Sequence, residues 1–287
     1  MKKIFLITII ILLSLGSLFS FQAIQFGEGK LRLVFCDVGQ GDAIFIRTPG
    51  NLDILVDGGP NDSVLTCLTN NMPFWDKTLE LVILTHPHAD HLNGLISVFE
   101  NYEILEFATE NLKNKTQGFK YLMDLIEREN INMRFLYAGD KFRFKDGVAL
   151  EIVGPTNEFL ELTSPQGFIG ESGEFASVET LIKYRDFSAL LAGDSQARQL
   201  KDAIDKGYLT KTLVLQVPHH GSKSGLDSEI LDILMPELAV ISVGKNRYGH
   251  PNALITQLLK DKGIKTLRTD RDGEVKITSD GNTWSAQ

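Results

Sequence analysis

Four potential metal ligands fall within six residues of this chain: His86, His88, Asp90 and His91, in the run Thr85-His86-Pro87-His88-Ala89-Asp90-His91. Neutral imidazoles and a carboxylate are donor types that suit zinc or manganese. The run directly follows the apolar stretch 79–84, which reads as a strand buried on both faces, and precedes a helix-like segment. His86 and His88 alternate along an extended segment and reach one pocket, with Asp90 and His91 following at the turn into the helix. This spacing suits two adjacent cations, which would ionise a shared water near neutral pH for hydrolysis. One histidine in a strand is usually structural; three with an aspartate in so short a run are not.

Other residues with chemical potential stand at the ends of apolar runs. Asp194 follows Ala-Leu-Leu-Ala-Gly193, and His219 and His220 close the run before Gly221. His250, beyond the strand expected at 238–243, would reach the same face as a general acid or a phosphate ligand. Lys245 and Arg247 beside it would favour an anion, or are solvated loop charges. Asp42 and Asp57, each next to glycine, either orient ligand imidazoles through the free ring nitrogen or simply form turns. Gly221, Ser222 and Ser224 make a polar loop at an expected helix start, able to hold an anionic substrate or to cap the helix.

The elements that must position these residues follow from pattern. Strands are expected at 31–38, 43–47 and 52–56, with Thr48-Pro49-Gly50-Asn51 turning the second pair into a hairpin. A helix at 63–71, the strand 79–84, a helix at 89–100, a strand at 103–108 and an amphipathic helix at 119–128 come next. The second half repeats the alternation, with strands at 133–138, 148–153, 177–184, 187–192, 212–217 and 238–243. Its helices are expected at 195–206, 227–234 and 252–262, before two closing strands. The Gly-, Ser- and Glu-rich stretch 156–175 reads as an exposed loop. Each half thus supplies strands followed by helices, which predicts one domain of two packed sheets with helices outside.

At this point a family resemblance emerges. His-x-His-x-Asp-His is similar to the signature of the metallo-β-lactamase superfamily, an α/β fold arranged as an αββα four-layer sandwich. Cys36-Asp37-Val38-Gly39-Gln40-Gly41-Asp42, Asp57-Gly58-Gly59, Gly193-Asp194, Pro218-His219-His220-Gly221-Ser222 and Asn246-Arg247-Tyr248-Gly249-His250-Pro251 resemble the hydrolase domain of ComEC-type competence proteins, in that family's order. The similarity covers roughly residues 31 to 280. It implies that Asp194 bridges two metals and that His220, aligned with the histidine of Pro-Gly-His-Gly, is a ligand, with His219 as the alternative. One departure stands out: the chain has no histidine between His91 and His219, where the superfamily supplies a ligand. Ser177 is retained near that point beside Glu174 and Phe175, so water, Ser177 or another oxygen would complete the first metal site. The resemblance further implies a phosphodiesterase or nuclease, with a lactamase or thioesterase of the same fold, or a non-catalytic metal- or partner-binding module, as alternatives.

Composition sets the boundaries. Of 287 residues, 43% are hydrophobic and 23% charged, enough for a sizeable core. The net charge of −8 disfavours a protein that coats long nucleic acid, yet leaves phosphate esters open as substrates, because bound dications reverse the local field. Cys36 and Cys67 are too few for a disulfide framework and read as buried small hydrophobes. Lys2 and Lys3 precede an uncharged apolar run from Ile4 to Phe21. The segment 1–25 is therefore expected to be a signal peptide or a membrane anchor, placing a hydrolase domain at 29–287 outside the cytoplasm.

Overall fold

The computed structural model describes residues 2–170 and 176–287. An apolar helix, Lys2–Phe26, leads the chain, and its span from Lys3 to Phe26 is long and apolar enough to cross a membrane. Its last turns touch the domain: the Phe19 ring lies 4.2 Å from that of Trp75, and Gln22 accepts from the Phe74 N–H.

Two large sheets follow. The first has eight strands in the spatial order Trp284–Ala286, Val275–Ser279, Leu31–Phe35, Ile44–Arg47, Asp53–Val56, Leu81–Leu84, Glu106–Thr109 and Asn132–Phe135. The second has seven, ordered Lys265–Arg268, Leu238–Ile241, Val214–Gln216, Phe187–Leu191, Glu179–Tyr184, Val148–Gly154 and Lys141–Arg143. In each sheet an antiparallel part continues into a parallel one, and the parallel strands end on the same side of the molecule.

Period-two alternation decides which side chains go where. Leu33, Ile46 and Ile83 of the first sheet meet Leu150, Ile182 and Val240 of the second in the central core. Their alternates Val34, Phe45, Leu55 and Val82 face the helices Ser63–Asn71, Ala89–Asn101 and Gln117–Arg128. On the far side Leu190, Leu215 and Ala239 pack under Ala197–Asp205, Ser228–Leu234 and Ala253–Asp261. Helix, sheet, sheet, helix is the four-layer αββα order expected.

Three expectations need correction. Cys36 and Cys67 are indeed buried, but they are bonded to each other as a disulfide that ties the end of a first-sheet strand to the helix below it. The stretch 156–175 is not wholly loop: Thr156 caps a helix, Asn157–Thr163, whose Phe159, Leu160 and Thr163 are buried. Its end, with Glu174 and Phe175, lies outside the described residues. Three strands, not two, follow Ala253–Asp261: Lys265–Arg268 extends the second sheet, whereas Val275–Ser279 and Trp284–Ala286 return to the edge of the first.

Candidate metal centre

Four of the histidine- and aspartate-bearing motifs converge at the carboxyl ends of strands of the two sheets. The first sheet supplies Asp57 after Asp53–Val56, and Thr85 to His91 after Leu81–Leu84. The second supplies Asp194 after Phe187–Leu191, His219 and His220 after Val214–Gln216, and Ser242 after Leu238–Ile241.

Asp194 is the hub, only 2% exposed. Its Oδ1 lies 3.3 Å from His91 Nε2 and 3.3 Å from His220 Nε2. Its Oδ2 lies 3.7 Å from His86 Nε2 and 3.6 Å from His219 Nε2. The two oxygens thus address two different groups of nitrogens. Asp90 Oδ2 adds to the Oδ1 group at 3.5 Å from His220 Nε2, and His88 Nδ1 adds to the Oδ2 group at 3.0 Å from His86 Nε2. Asp90, His91, Asp194 and His220 form one potential cation site, and His86, His88 and Asp194 a second.

Three of the imidazoles are turned by partners behind them. Asp57 accepts from His91 Nδ1 at 2.8 Å and from the Thr85 hydroxyl at 2.7 Å. A carboxylate can only accept, so the Thr85 oxygen is left to accept from His86 Nδ1 at 3.1 Å. His220 Nδ1 donates to the Ser242 carbonyl at 2.9 Å. These bonds commit the Nδ1 protons of His86, His91 and His220, so that each ring, when neutral, presents an Nε2 lone pair to the pocket. Asp42 is buried 3.7 Å behind His220 Nδ1 and 3.9 Å from His91 Nδ1, but the Ser242 carbonyl and Asp57 take those protons.

The backbone is bent to suit. His219 and His220 have φ of 50° and 55°, and Asp57 has 60°, a region costly for side-chain-bearing residues. The His219 N–H is anchored on the Gly193 carbonyl at 2.9 Å. Gln216 Oε1 accepts from Ala192 and Gly193 N–H, and Ser177 Oγ accepts from Asp194 N–H at 3.2 Å. Ser177 therefore braces the Asp194 turn through that bond. Ser222 and Ser224 hydrogen bond each other on the surface, and the helix they were expected to open starts later, capped by Asp227. His250 faces the cluster's edge, its ring 5.6 Å from that of His219, in a loop whose N–H and carbonyl groups Asn246 gathers.

The field here attracts positive charge. Burial opposes an imidazolium, yet Asp194 and Asp57 hold His91 well above the usual imidazole range, and Asp194 with Asp42 lifts His220 to about 9. Burial drives His86 the other way, together with its neighbour His91. Three buried atoms at the focus, His91 Nε2, His220 Nε2 and Asp194 Oδ1, have no hydrogen-bond partner among the described residues. Leaving such groups unpaired is costly. A cation ligated by all three removes that cost, so the donor set fits a divalent metal.

Three supporting residues escaped the sequence: Thr85, Gln216 and the Ser242 carbonyl. Buried polar residues at strand ends were the available signal for the first two. Glu179 is a fourth, fully buried beside Ser195 and Gln199 and raised by burial to about 8. The folded chain thus keeps a proton that the unfolded chain releases near 4.5. The stability this group supports is full below that value and fades as pH climbs through about 8. Urea titrations should show wild type losing stability between pH 6 and 9 relative to Glu179→Gln, by roughly 2 to 4 kcal/mol. Parallel pH profiles would contradict it.

Known proteins place this geometry in a class. A model of the metallo-beta-lactamase superfamily matches residues 36–245, and the chain belongs to that superfamily of metal-dependent hydrolases. The fold agrees: YhfI of Bacillus subtilis, a metallo-beta-lactamase fold protein, superposes with a TM-score of 0.59 at 11% identity, over 87% of this chain and all of that one. Igni18, a metallo hydrolase of Ignicoccus hospitalis, gives 0.56 at 16% identity over 85% of this chain and 98% of that one. Among curated relatives, ComE operon protein 3 of Bacillus subtilis is 26% identical over 87% of this chain and 33% of its own length. Recombination protein 2 of Haemophilus influenzae is 26% identical over 84% of this chain and 28% of its own. The chain spans about a third of the length of the curated relatives it matches.

Proposed function

We propose that this protein is a dinuclear phosphodiesterase acting on nucleic acid outside the cytoplasm. The observation that carries the metal reading is the convergence of unpaired buried donors on Asp194. His86, His88 and Asp194 would hold one cation, zinc or manganese, and Asp90, His91, Asp194 and His220 the other. When bound, such a pair neutralises charge developing on phosphoryl oxygens and lowers the pKa of water from about 15.7 to about 7. The chain's residues do the rest. Asp57, Thr85 and the Ser242 carbonyl keep the imidazoles in one tautomer and one orientation. His250, whose ring burial and its histidine neighbours keep neutral, offers an N–H to a phosphoryl or leaving oxygen at the rim.

The relatives' names, competence and recombination, support nucleic acid as substrate. The compartment rests on two observations: the buried disulfide, which persists in oxidising surroundings, and the apolar helix behind Lys2 and Lys3. The test is a substrate panel on the full chain in detergent, with manganese or zinc: bis-p-nitrophenyl phosphate, single-stranded DNA and nitrocefin. Both phosphodiesters should be cleaved, and His88→Ala or Asp90→Ala should lower that turnover at least about 100-fold with unchanged circular dichroism. Cleavage of nitrocefin alone would favour a lactamase, and tight metal without any hydrolysis a binding module.

A further inference from the structure

A groove of about 420 Å³ opens beside the metal motif. It begins where Asn114 Nδ2 donates to the carbonyl of Pro87, the residue between His86 and His88, at 2.6 Å. Its floor is apolar and partly aromatic, formed by Phe119, Met123, Met133 and Phe135, and Phe135 is 44% exposed. One wall is the segment around Lys113, whose N–H and carbonyl pair with Gly167 and Ile169, bringing Phe168 alongside. The mouth is basic: Lys113, Lys115 and Lys120 are exposed there, against Asp124 as the one acid among the described lining residues, and Lys115 lies 4.9 Å over the Phe168 ring.

We infer that this groove seats one nucleotide flanking the scissile phosphate of a single-stranded nucleic acid, its base stacked on Phe135 and its phosphates met by the lysines. Charge complementarity selects the occupant. In a chain of net charge −8, three lysines around a π-surface match a flat ring carrying anions. An aliphatic chain or apolar peptide would leave the lysines unused. The placement rests on the phosphodiesterase reading, because it treats the adjoining donors as the reaction centre. The hydrogen bond from Asn114, which lines the groove, to Pro87 ties the groove's edge to the metal-binding motif.

Two measurements on the full chain separate this inference from that reading. Phe135→Trp puts an indole in the groove, at the opposite edge of the sheet from Trp284, with the wild-type protein as the control for both native tryptophans. Adding a single-stranded oligothymidylate should quench its emission, while wild-type emission stays constant. Phe135→Ala should lower kcat/KM for thymidine p-nitrophenyl phosphate about tenfold relative to that for methyl p-nitrophenyl phosphate, which has no base. Quenching without hydrolysis of either ester by wild type would sustain the groove and refute the reaction. Cleavage of the strand with no quenching, or quenching by phospholipid vesicles or an apolar peptide but not by the strand, overturns the groove.

Discussion

Asp194→Asn should leave a folded protein that holds at most one divalent ion per chain and turns over phosphodiesters at least about 10³-fold more slowly. Among the described residues, Asp194 is the side chain shared by both groups of nitrogens: one oxygen lies 3.3 Å from His91 and His220, the other within 3.7 Å of His86 and His219. The amide removes the negative charge and turns an NH2 toward nitrogens that offer lone pairs or N–H groups. His91 and His220 lose the carboxylate that lifts them, but Asp57 and the Ser242 carbonyl still hold them in place. Metal content by mass spectrometry, circular dichroism and initial rates test this together. A variant with two ions and rates within threefold of wild type would rule out Asp194 as the bridge.

Gly94→Ala should destabilise the chain by more than about 3 kcal/mol, against the ordinary preference of helices for alanine. The helix Ala89–Asn101 is pressed onto the Asp57 loop, with Gly58 donating to the His91 carbonyl at 2.7 Å and Gly94 to the Gly59 carbonyl at 2.9 Å. A methyl at position 94 would lie 1.9 Å from Gly58 O and 2.4 Å from Asn61 O, both main-chain atoms that cannot swing aside. Relief requires the helix to move off the loop, which stretches the bond from His91 to Asp57. Metal affinity should fall at least about tenfold along with the urea midpoint. A midpoint shift worth less than 1 kcal/mol would show that the loop yields.

How far the sequence revealed this site depended on distance along the chain. His86, His88, Asp90 and His91 were legible because a strand and a helix start place them in one neighbourhood without help from elsewhere. Asp194 and His220 came from the family resemblance; a Gly-Asp at a strand end is ordinary turn chemistry until another sheet is brought against it. Thr85, Gln216 and the Ser242 carbonyl act through partners far away in sequence, and a main-chain oxygen carries no residue code. The two cysteines gave the same lesson. Their burial was evident, but their bond joins a strand end to a helix 31 residues on. The layers were plainer, since alternation in Leu31–Phe35 and Leu81–Leu84 sorts one face from the other locally. The helix Asn157–Thr163 hid in a polar context, marked only by the Thr156 cap and Phe159 with Leu160 and Thr163.

The placement of the donors has a consequence for assembly. Aspartate 57 and the motif from His86 to His91 belong to one sheet, whereas Asp194 and His220 belong to the other. Neither sheet alone carries the full donor set of either candidate cation site, so both sites exist only once the two leaves have closed face to face. Ion capture at these sites would act as a latch on a finished sandwich rather than as a seed for building one.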